Sequence, residues 1–195
     1  IQYDAATGTV TLPEGMEIDL GSVAKGYAGQ LAAQMLREHG VQSALLNLGG
    51  NVQTVGAKPD GSPWQIGIKD PQGEDAMMVL SVEDQAVVTS GGYERYFEQD
   101  GQTYWHIMDP STGHPADSGL LSVTIVGDEG VVCDGLSTAL FVMGLEKAAD
   151  LWAQSGDFEA VFVTASGEVY ITEGLRDRFA LTEQYADTPV SVIER

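Results

Sequence analysis

Cysteine, basic residues and long apolar runs are all scarce in this 195-residue chain. The single cysteine, Cys133, excludes an intrachain disulfide, so the fold must rest on its hydrophobic core, and the redox compartment stays open. Only 9 basic residues accompany 29 acidic ones, and the net charge of −20 argues against nucleic acid or an anionic membrane as a partner, because both need a cationic surface. No apolar run in the sequence is long enough to form a transmembrane helix.

The pattern of apolar residues predicts an α+β domain. Its length favours one domain, residues 1–195. Apolar residues such as Ala28, Leu31 and Met35 recur at helical spacing and predict a helix over 22–39. Further helices are predicted over 131–143 and 145–154, and short strands, which we expect to pair mainly antiparallel, over 8–12, 41–48, 51–56, 64–68, 77–82, 85–89, 93–98, 103–108, 121–126, 158–164 and 168–172.

Five polar or glycine-rich blocks each follow an apolar run, a pattern that is typical of a functional site. They are residues 19–27 (DLGSVAKGY), 46–51 (LNLGGN), 89–93 (TSGGY), 106–113 (HIMDPSTG) and 133–141 (CDGLSTALF).

The last block places a carboxylate and a hydroxyl on one face of a predicted helix. Asp134 and Thr138 are four residues apart, so their oxygens project from the same side. Magnesium prefers oxygen ligands and accepts few from protein, so this pair is a candidate metal site. The alternative is that Asp134 only caps the helix N-terminus.

Two other blocks carry groups suited to phosphate and proton chemistry. The first has Lys25 at a loop-to-helix junction, where unpaired amides and the helix dipole favour an anion. The simpler interpretation makes Asp19 an N-cap and Lys25 a solvated surface residue. His106 can accept a proton from a hydroxyl or contact phosphate, or it can be an inert histidine bonded to a neighbouring strand.

Together these blocks resemble the ApbE family, the FAD:protein FMN transferases, from about Asp19 to about Gly144. The resemblance implies an antiparallel sheet with helices packed on one side, related to the T-fold. Chains of the family normally have a substantial segment before the DLG block that supplies part of the flavin pocket, including a stacking residue. Only eighteen residues precede Asp19 here, so we expect that part of the family domain to be missing from this chain.

The resemblance also implies roles for individual residues. It makes His106 and Asp134 the catalytic residues, and it gives magnesium a ligand set of the Ser22 backbone carbonyl, Asp134, Thr138 and Ser137 as a possible third side-chain oxygen. The residues that it implies for FAD binding are Asp19, Lys25, Gly49, Gly50, Ser90, Gly91 and Ile107, the last through its backbone.

The implied reaction is magnesium-dependent transfer of FMN from FAD to a Ser or Thr hydroxyl of an acceptor protein, with release of AMP. A dianionic diphosphate approaching a chain of net charge −20 would be repelled, so composition also favours a metal-assisted site. The alternatives are a pyrophosphatase that yields FMN and AMP, and a non-catalytic flavin-binding fragment. The resemblance implies a bacterial, extracytoplasmic protein, periplasmic or on the cell surface, anchored through an N-terminal segment.

Overall fold

A computed structural model describes residues 1–93 and 95–195. The helices are α1 (Ala24–Glu38), α2 (Gly130–Met143) and α3 (Leu145–Ser155). The strands are β1 (Gln2–Asp4), β2 (Thr9–Thr11), β3 (Ala44–Leu48), β4 (Asn51–Val55), β5 (Trp64–Lys69), β6 (Ala76–Val82), β7 (Ala86–Gly91), β8 (Tyr96–Gln99), β9 (Gln102–Trp105), β10 (Met108–Asp109), β11 (His114–Pro115), β12 (Leu120–Gly127), β13 (Glu159–Thr164), β14 (Val169–Thr172), β15 (Phe179–Leu181) and β16 (Val190–Ile193).

A seven-stranded sheet in the order β16-β14-β13-β12-β7-β4-β3 forms the centre of the molecule. Its neighbouring strands pair antiparallel, except β14 and β16, which pair in parallel. The expectation of mainly antiparallel pairing is therefore confirmed. The parallel exception arises because residues 173–189, which include two short 3-10 helices and β15, carry the chain back to the sheet edge in the same direction.

Alternating residues of the central strands bury both faces of this sheet. Val123 and Ile125 of β12 pack with Phe141 and Trp152 on the helical side. Val126, the next residue along β12, packs instead with the second sheet, which has the order β15-β6-β5. The helices therefore cover one face and the small sheet covers the other, which confirms an α+β fold with helices on one side.

Helices α1 and α2 cross at two glycines. A Cβ atom built on Gly26 would lie 2.1 Å from the carbonyl oxygen of Gly130, and one built on Gly130 would lie 2.8 Å from that of Gly26. No side chain fits between the two backbones at this point. The buried residues of α1 are Gly26, Gly29 and Ala33, whereas Leu31 and Met35, which contribute to its apolar periodicity, are exposed.

Several strands differ from those predicted. The short strands β1, β11, β15 and β16 are additional, and the strands predicted over 93–98 and 103–108 are shorter, as β8 and β9, with Met108 in the separate strand β10. Tyr93 lies in a turn, and Glu94, which falls within the first of these predictions, is outside the described residues. Of the helices in the part of the chain that the structure describes, none is long and apolar enough to cross a membrane.

Candidate functional site

Four of the five sequence blocks meet around one cavity of roughly 450 Å³. The loop before α1, the end of β7, the segment after β9 and one face of α2 form its walls. The residues that line it are Asp19, Gly21, Ser22, Lys25, Thr89, Ser90, Gly91, Arg95, His106, Ile107, Met108, Asp134 and Thr138.

Asp134 lies in the second turn of α2 and joins this helix to α1. Only 4% of its surface is exposed, and its Oδ2 atom accepts a hydrogen bond of 2.8 Å from the backbone amide of Gly26. The N-cap of α2 is Glu129, so the interpretation of Asp134 as the cap of its own helix is wrong, because the helix begins at Gly130. Burial raises the pKa of the Asp134 carboxyl, against the lowering effects of the Gly26 amide and the Lys25 charge.

Three hydroxyls form a chain of hydrogen bonds beside this carboxylate. The Ser137 hydroxyl donates to the backbone carbonyl of Asp134 at 2.8 Å, so in its 2.8 Å contact with Ser90 the serine on β7 must be the donor. Thr138 lies 3.2 Å from Ser90 and can then donate to it. This order leaves lone pairs on Thr138, which lines the cavity, whereas the Ser137 side chain is fully buried and does not line it.

The oxygens of this region suit a hard cation. Asp134 and Thr138 line the cavity from α2, and Ser22 lines it from the loop before α1. No group of three His, Cys, Asp or Glu side chains within residues 1–93 and 95–195 is arranged to hold a metal ion. One carboxylate supplemented by hydroxyl and carbonyl oxygens fits magnesium, which usually keeps several waters, better than it fits zinc.

The loop before α1 brings Asp19 and Ser22 to the cavity, and the first turn of α1 brings Lys25. Asp19 accepts a 2.6 Å hydrogen bond from the amide of Gly21, which forms a local turn. The N-cap of α1 is Val23, so the interpretation of Asp19 as an N-cap is wrong, and the Val23 side chain forms no capping hydrogen bond. The start of α1 and the ammonium group of Lys25 therefore present positive charge to the cavity.

Gly49 and Gly50 do not line the cavity. Their φ angles of 61° and 88° form the two-residue turn between β3 and β4, a conformation that favours glycine. The carbonyl of Gly49 lies 3.5 Å from Nζ of Lys25, so the turn contacts a residue that lines the cavity. The role of both glycines in FAD binding stays a prediction.

His106 is exposed at the mouth of the cavity and is held by its backbone and its ring. Its amide donates to the carbonyl of Arg95 at 3.2 Å, and Nδ1 lies 3.3 Å from the same oxygen. In the tautomer in which Nδ1 donates, Nε2 keeps a lone pair that can accept a proton. The next residue, Ile107, is buried in the core, and its carbonyl accepts from the amide of Ala116.

Sequence analysis missed two polar residues of this region. Arg95 lines the cavity, but it lies within the strand predicted over 93–98 and outside the TSGGY block, whose position just before it is the available signal in the sequence. Asn51 is 2% exposed and lies beside Asp134, whose pKa it lowers weakly, yet its Nδ2 atom forms no hydrogen bond of regular geometry with the described residues. Its place at the end of the LNLGGN block was the available signal.

Known proteins are similar to this chain in sequence and in fold. A protein of Klebsiella pneumoniae (strain 342) named FAD:protein FMN transferase is 42% identical over 180 residues, which cover 91% of this chain and 55% of the relative. A protein of Treponema pallidum (strain Nichols) with the same name is 40% identical over 184 residues, covering 89% and 51%. The crystal structure of an ApbE protein from Thermotoga maritima matches with a TM-score of 0.83 and 38% identity, covering 91% of this chain and 58% of that one.

The chain spans about half the length of the curated relatives that it matches. The sequence profile of the ApbE family matches residues 1–162, and this range includes every block that contributes to the cavity. The chain therefore belongs to the ApbE family.

Proposed function

We propose that this chain carries the reaction site of a magnesium-dependent transferase, which moves FMN from FAD onto a Ser or Thr hydroxyl of an acceptor protein. The observation that carries the proposal is the convergence of Asp134, Lys25 and His106, from three separate blocks, on one cavity. The two relatives described above are named FAD:protein FMN transferase, and this name supplies the donor and the class of acceptor. Residues 1–195 would form a single unit of the family domain.

Asp134, Thr138 and the carbonyl of Ser22 would hold the magnesium ion, because their oxygens line the cavity and Thr138 has lone pairs to spare. Ser137 would support this set through its hydrogen bonds to Asp134 and Ser90. When bound, magnesium would offset the charge of the diphosphate and stabilise the negative charge that develops in the transition state. Asp19, Lys25, Ser90, Gly91 and Ile107 would contact FAD around it.

The reaction exchanges the phosphoanhydride bond of FAD for a phosphate ester bond to the acceptor. The acceptor hydroxyl attacks the FMN-side phosphorus, the bond from this phosphorus to the bridging oxygen breaks, and AMP leaves with that oxygen. His106 takes the hydroxyl proton at Nε2, while the Arg95 carbonyl orients the ring through Nδ1. The thiol of Cys133 beside Asp134 is buried, which raises its pKa to about 12, so it does not serve as a nucleophile and direct attack is favoured.

The partners of this function are FAD and a protein with a reactive Ser or Thr, and nucleic acid is not among them. We place the activity outside the cytoplasm of a bacterium, at the periplasmic face or the cell surface. The support for a bacterial source is that both relatives named above are bacterial.

The test combines the chain with FAD, magnesium and a purified protein that carries a Ser/Thr flavinylation site. We expect the acceptor to gain one FMN mass and AMP to appear in equal amount, because each transfer breaks one diphosphate. Protein mass spectrometry and chromatography of AMP, each repeated with EDTA, measure both products.

Two other results would contradict the proposal. AMP without a labelled acceptor identifies a pyrophosphatase. Neither product, although FAD binds, identifies a flavin-binding fragment that does not catalyse transfer.

A further inference from the structure

Cations are rare in this chain, and two of them line the cavity. Nine basic residues accompany 29 acidic ones, and of these nine only Lys25 and Arg95 are among the residues that line it. They stand on different segments, because Lys25 belongs to the first turn of α1 and Arg95 to the loop between β7 and β8. A ligand in the cavity therefore meets positive charge from two separate segments of the chain.

The guanidinium of Arg95 has no partner within the part of the chain that the structure describes. The other four arginines are engaged: Arg37 and Arg176 form ion pairs, Arg178 donates to Gln85, and Arg195 lies over the ring of Trp152. Acidic residues outnumber basic ones about three to one, so an arginine without a carboxylate partner in the cavity is a cation available to a ligand.

Backbone contacts with His106 hold the main chain of Arg95 in place. Its carbonyl accepts from the amide of His106 at 3.2 Å and lies 3.3 Å from the ring nitrogen Nδ1 of the same residue. Arg95 and His106 are therefore neighbours in the wall of the cavity. Any group that reaches His106 for reaction also comes within the field of the arginine.

From this arrangement we propose that Arg95 binds the diphosphate of FAD, an assignment that rests on the proposed function. A guanidinium presents a planar fork of donors that matches two phosphate oxygens, whereas Lys25 offers a single point charge. The two residues together offset the two charges of the diphosphate in a chain of net charge −20. Arg95 is a positioning residue in this assignment, and it recognises phosphate rather than the flavin ring.

The experiment compares Arg95→Gln and Arg95→Lys with the unsubstituted chain in binding to FAD, ADP and riboflavin, by calorimetry with magnesium present. We expect Arg95→Gln to weaken FAD and ADP binding by about 10- to 100-fold, because a charge-assisted hydrogen bond is lost, and to leave riboflavin binding unchanged. Arg95→Lys should lose less, since it keeps the charge but not the fork. Arg37→Gln is the matched control, because it removes the same charge from an arginine paired with Asp84.

The possible outcomes separate this inference from the proposed function. If the unsubstituted chain binds FAD and Arg95→Gln binds it equally well, the inference is overturned and the proposed function stands. An equal loss of riboflavin and FAD affinity also overturns it, because the arginine would then act on the ring or on the fold, which a melting curve distinguishes. If the unsubstituted chain binds neither FAD nor ADP, both proposals are overturned.

Discussion

Asp134 has a structural contact and a candidate chemical role at the same time. Its Oδ2 atom accepts the amide of Gly26, and its side chain also lines the cavity. A carboxylate that is 96% buried is costly unless its charge is compensated, and a helix amide with the Lys25 charge compensates it only in part, because the pKa remains raised. The remaining cost favours a cation at this position.

Substitutions of Asp134 can separate the two roles. Asp134→Asn keeps an oxygen that can accept from Gly26, whereas Asp134→Ala removes it, so only the alanine variant should lose about 1–3 kcal/mol of stability in EDTA. Both variants should lose magnesium-dependent FAD turnover, because neither has a carboxylate. Thermal melts in EDTA and AMP release with magnesium measure the two effects. Turnover that survives in Asp134→Asn would show that the carboxylate is not a metal ligand.

The raised pKa of Asp134 predicts how magnesium stabilises the chain at different pH. The pKa of Asp134 is raised in the folded chain above its ordinary value of 3.8, so the folded state binds this proton more tightly than the unfolded state does. The resulting stability is present at low pH and is lost as pH rises through the raised pKa. Bound magnesium would offset this loss, so the increase in melting temperature caused by magnesium should grow as pH rises from 4 to 7. Asp134→Asn should show no such growth. An increase that is equal at all pH values would contradict the metal site.

His106 should act on the rate of transfer more than on binding. His106→Ala should slow FMN transfer by about 100- to 10,000-fold, the usual contribution of a proton-transfer residue, with a much smaller change in FAD affinity. Transfer kinetics and calorimetry check both quantities. His114, which is exposed in β11 and does not line the cavity, provides the matched control as His114→Ala. Equal loss of rate and affinity would assign His106 to substrate binding instead.

At the scale of elements, the site depends on how closely α1 and α2 approach. The Gly26 amide reaches Asp134 only because both helices carry glycine where their backbones meet. Helix propensity alone disfavours glycine by about 1 kcal/mol relative to alanine, so each glycine lowers the local stability of its helix. In return, the close approach of the helices positions the Asp134 carboxylate.

Two alanine substitutions on the same helix test this contact. Gly26→Ala would place a Cβ atom 2.1 Å from the Gly130 carbonyl oxygen. We therefore expect the free energy of unfolding to fall by about 2 kcal/mol or more, and magnesium binding to be lost as well. Gly29→Ala is the control, because its Cβ atom would lie 3.7 Å from its nearest neighbours, and it should gain up to about 1 kcal/mol. Denaturant unfolding measures both values. Equal stability of the two variants would contradict the role of the crossing.

The same elements show what the sequence can and cannot predict. Apolar periodicity predicted α1 and α2 almost to their ends, because helical spacing is a local property. It did not predict which face of α1 is buried, since close backbone contact selected Gly26 and Gly29 over Leu31. No local pattern encodes contacts between residues that are distant in sequence. Two examples are the hydrogen bond between Ser90 and Ser137 and the parallel pairing of β14 with β16.

At the scale of the whole molecule, the net charge of −20 opposes folding through self-repulsion. Salt screens this repulsion, so raising NaCl from 10 to 300 mM should raise the melting temperature of the metal-free chain, by roughly 2–4 °C for each 1 kcal/mol gained. Scanning calorimetry in EDTA measures the shift, and potassium chloride at equal ionic strength controls for specific ion effects. A fall in melting temperature would show that local ion pairs outweigh the net charge.

The hydrogen bond from the Gly26 amide of α1 to the Asp134 carboxylate of α2 links the candidate site to the correct packing of the two helices. A chain in which α1 has docked in the wrong position cannot present Asp134 with the Gly26 amide, because no other described group donates a regular hydrogen bond to this carboxylate. Misassembled molecules would therefore be recognisable as molecules that magnesium does not stabilise. Variants at the α1–α2 crossing should accordingly lose their metal response before they lose their secondary structure, so metal response is the more sensitive measure of native packing.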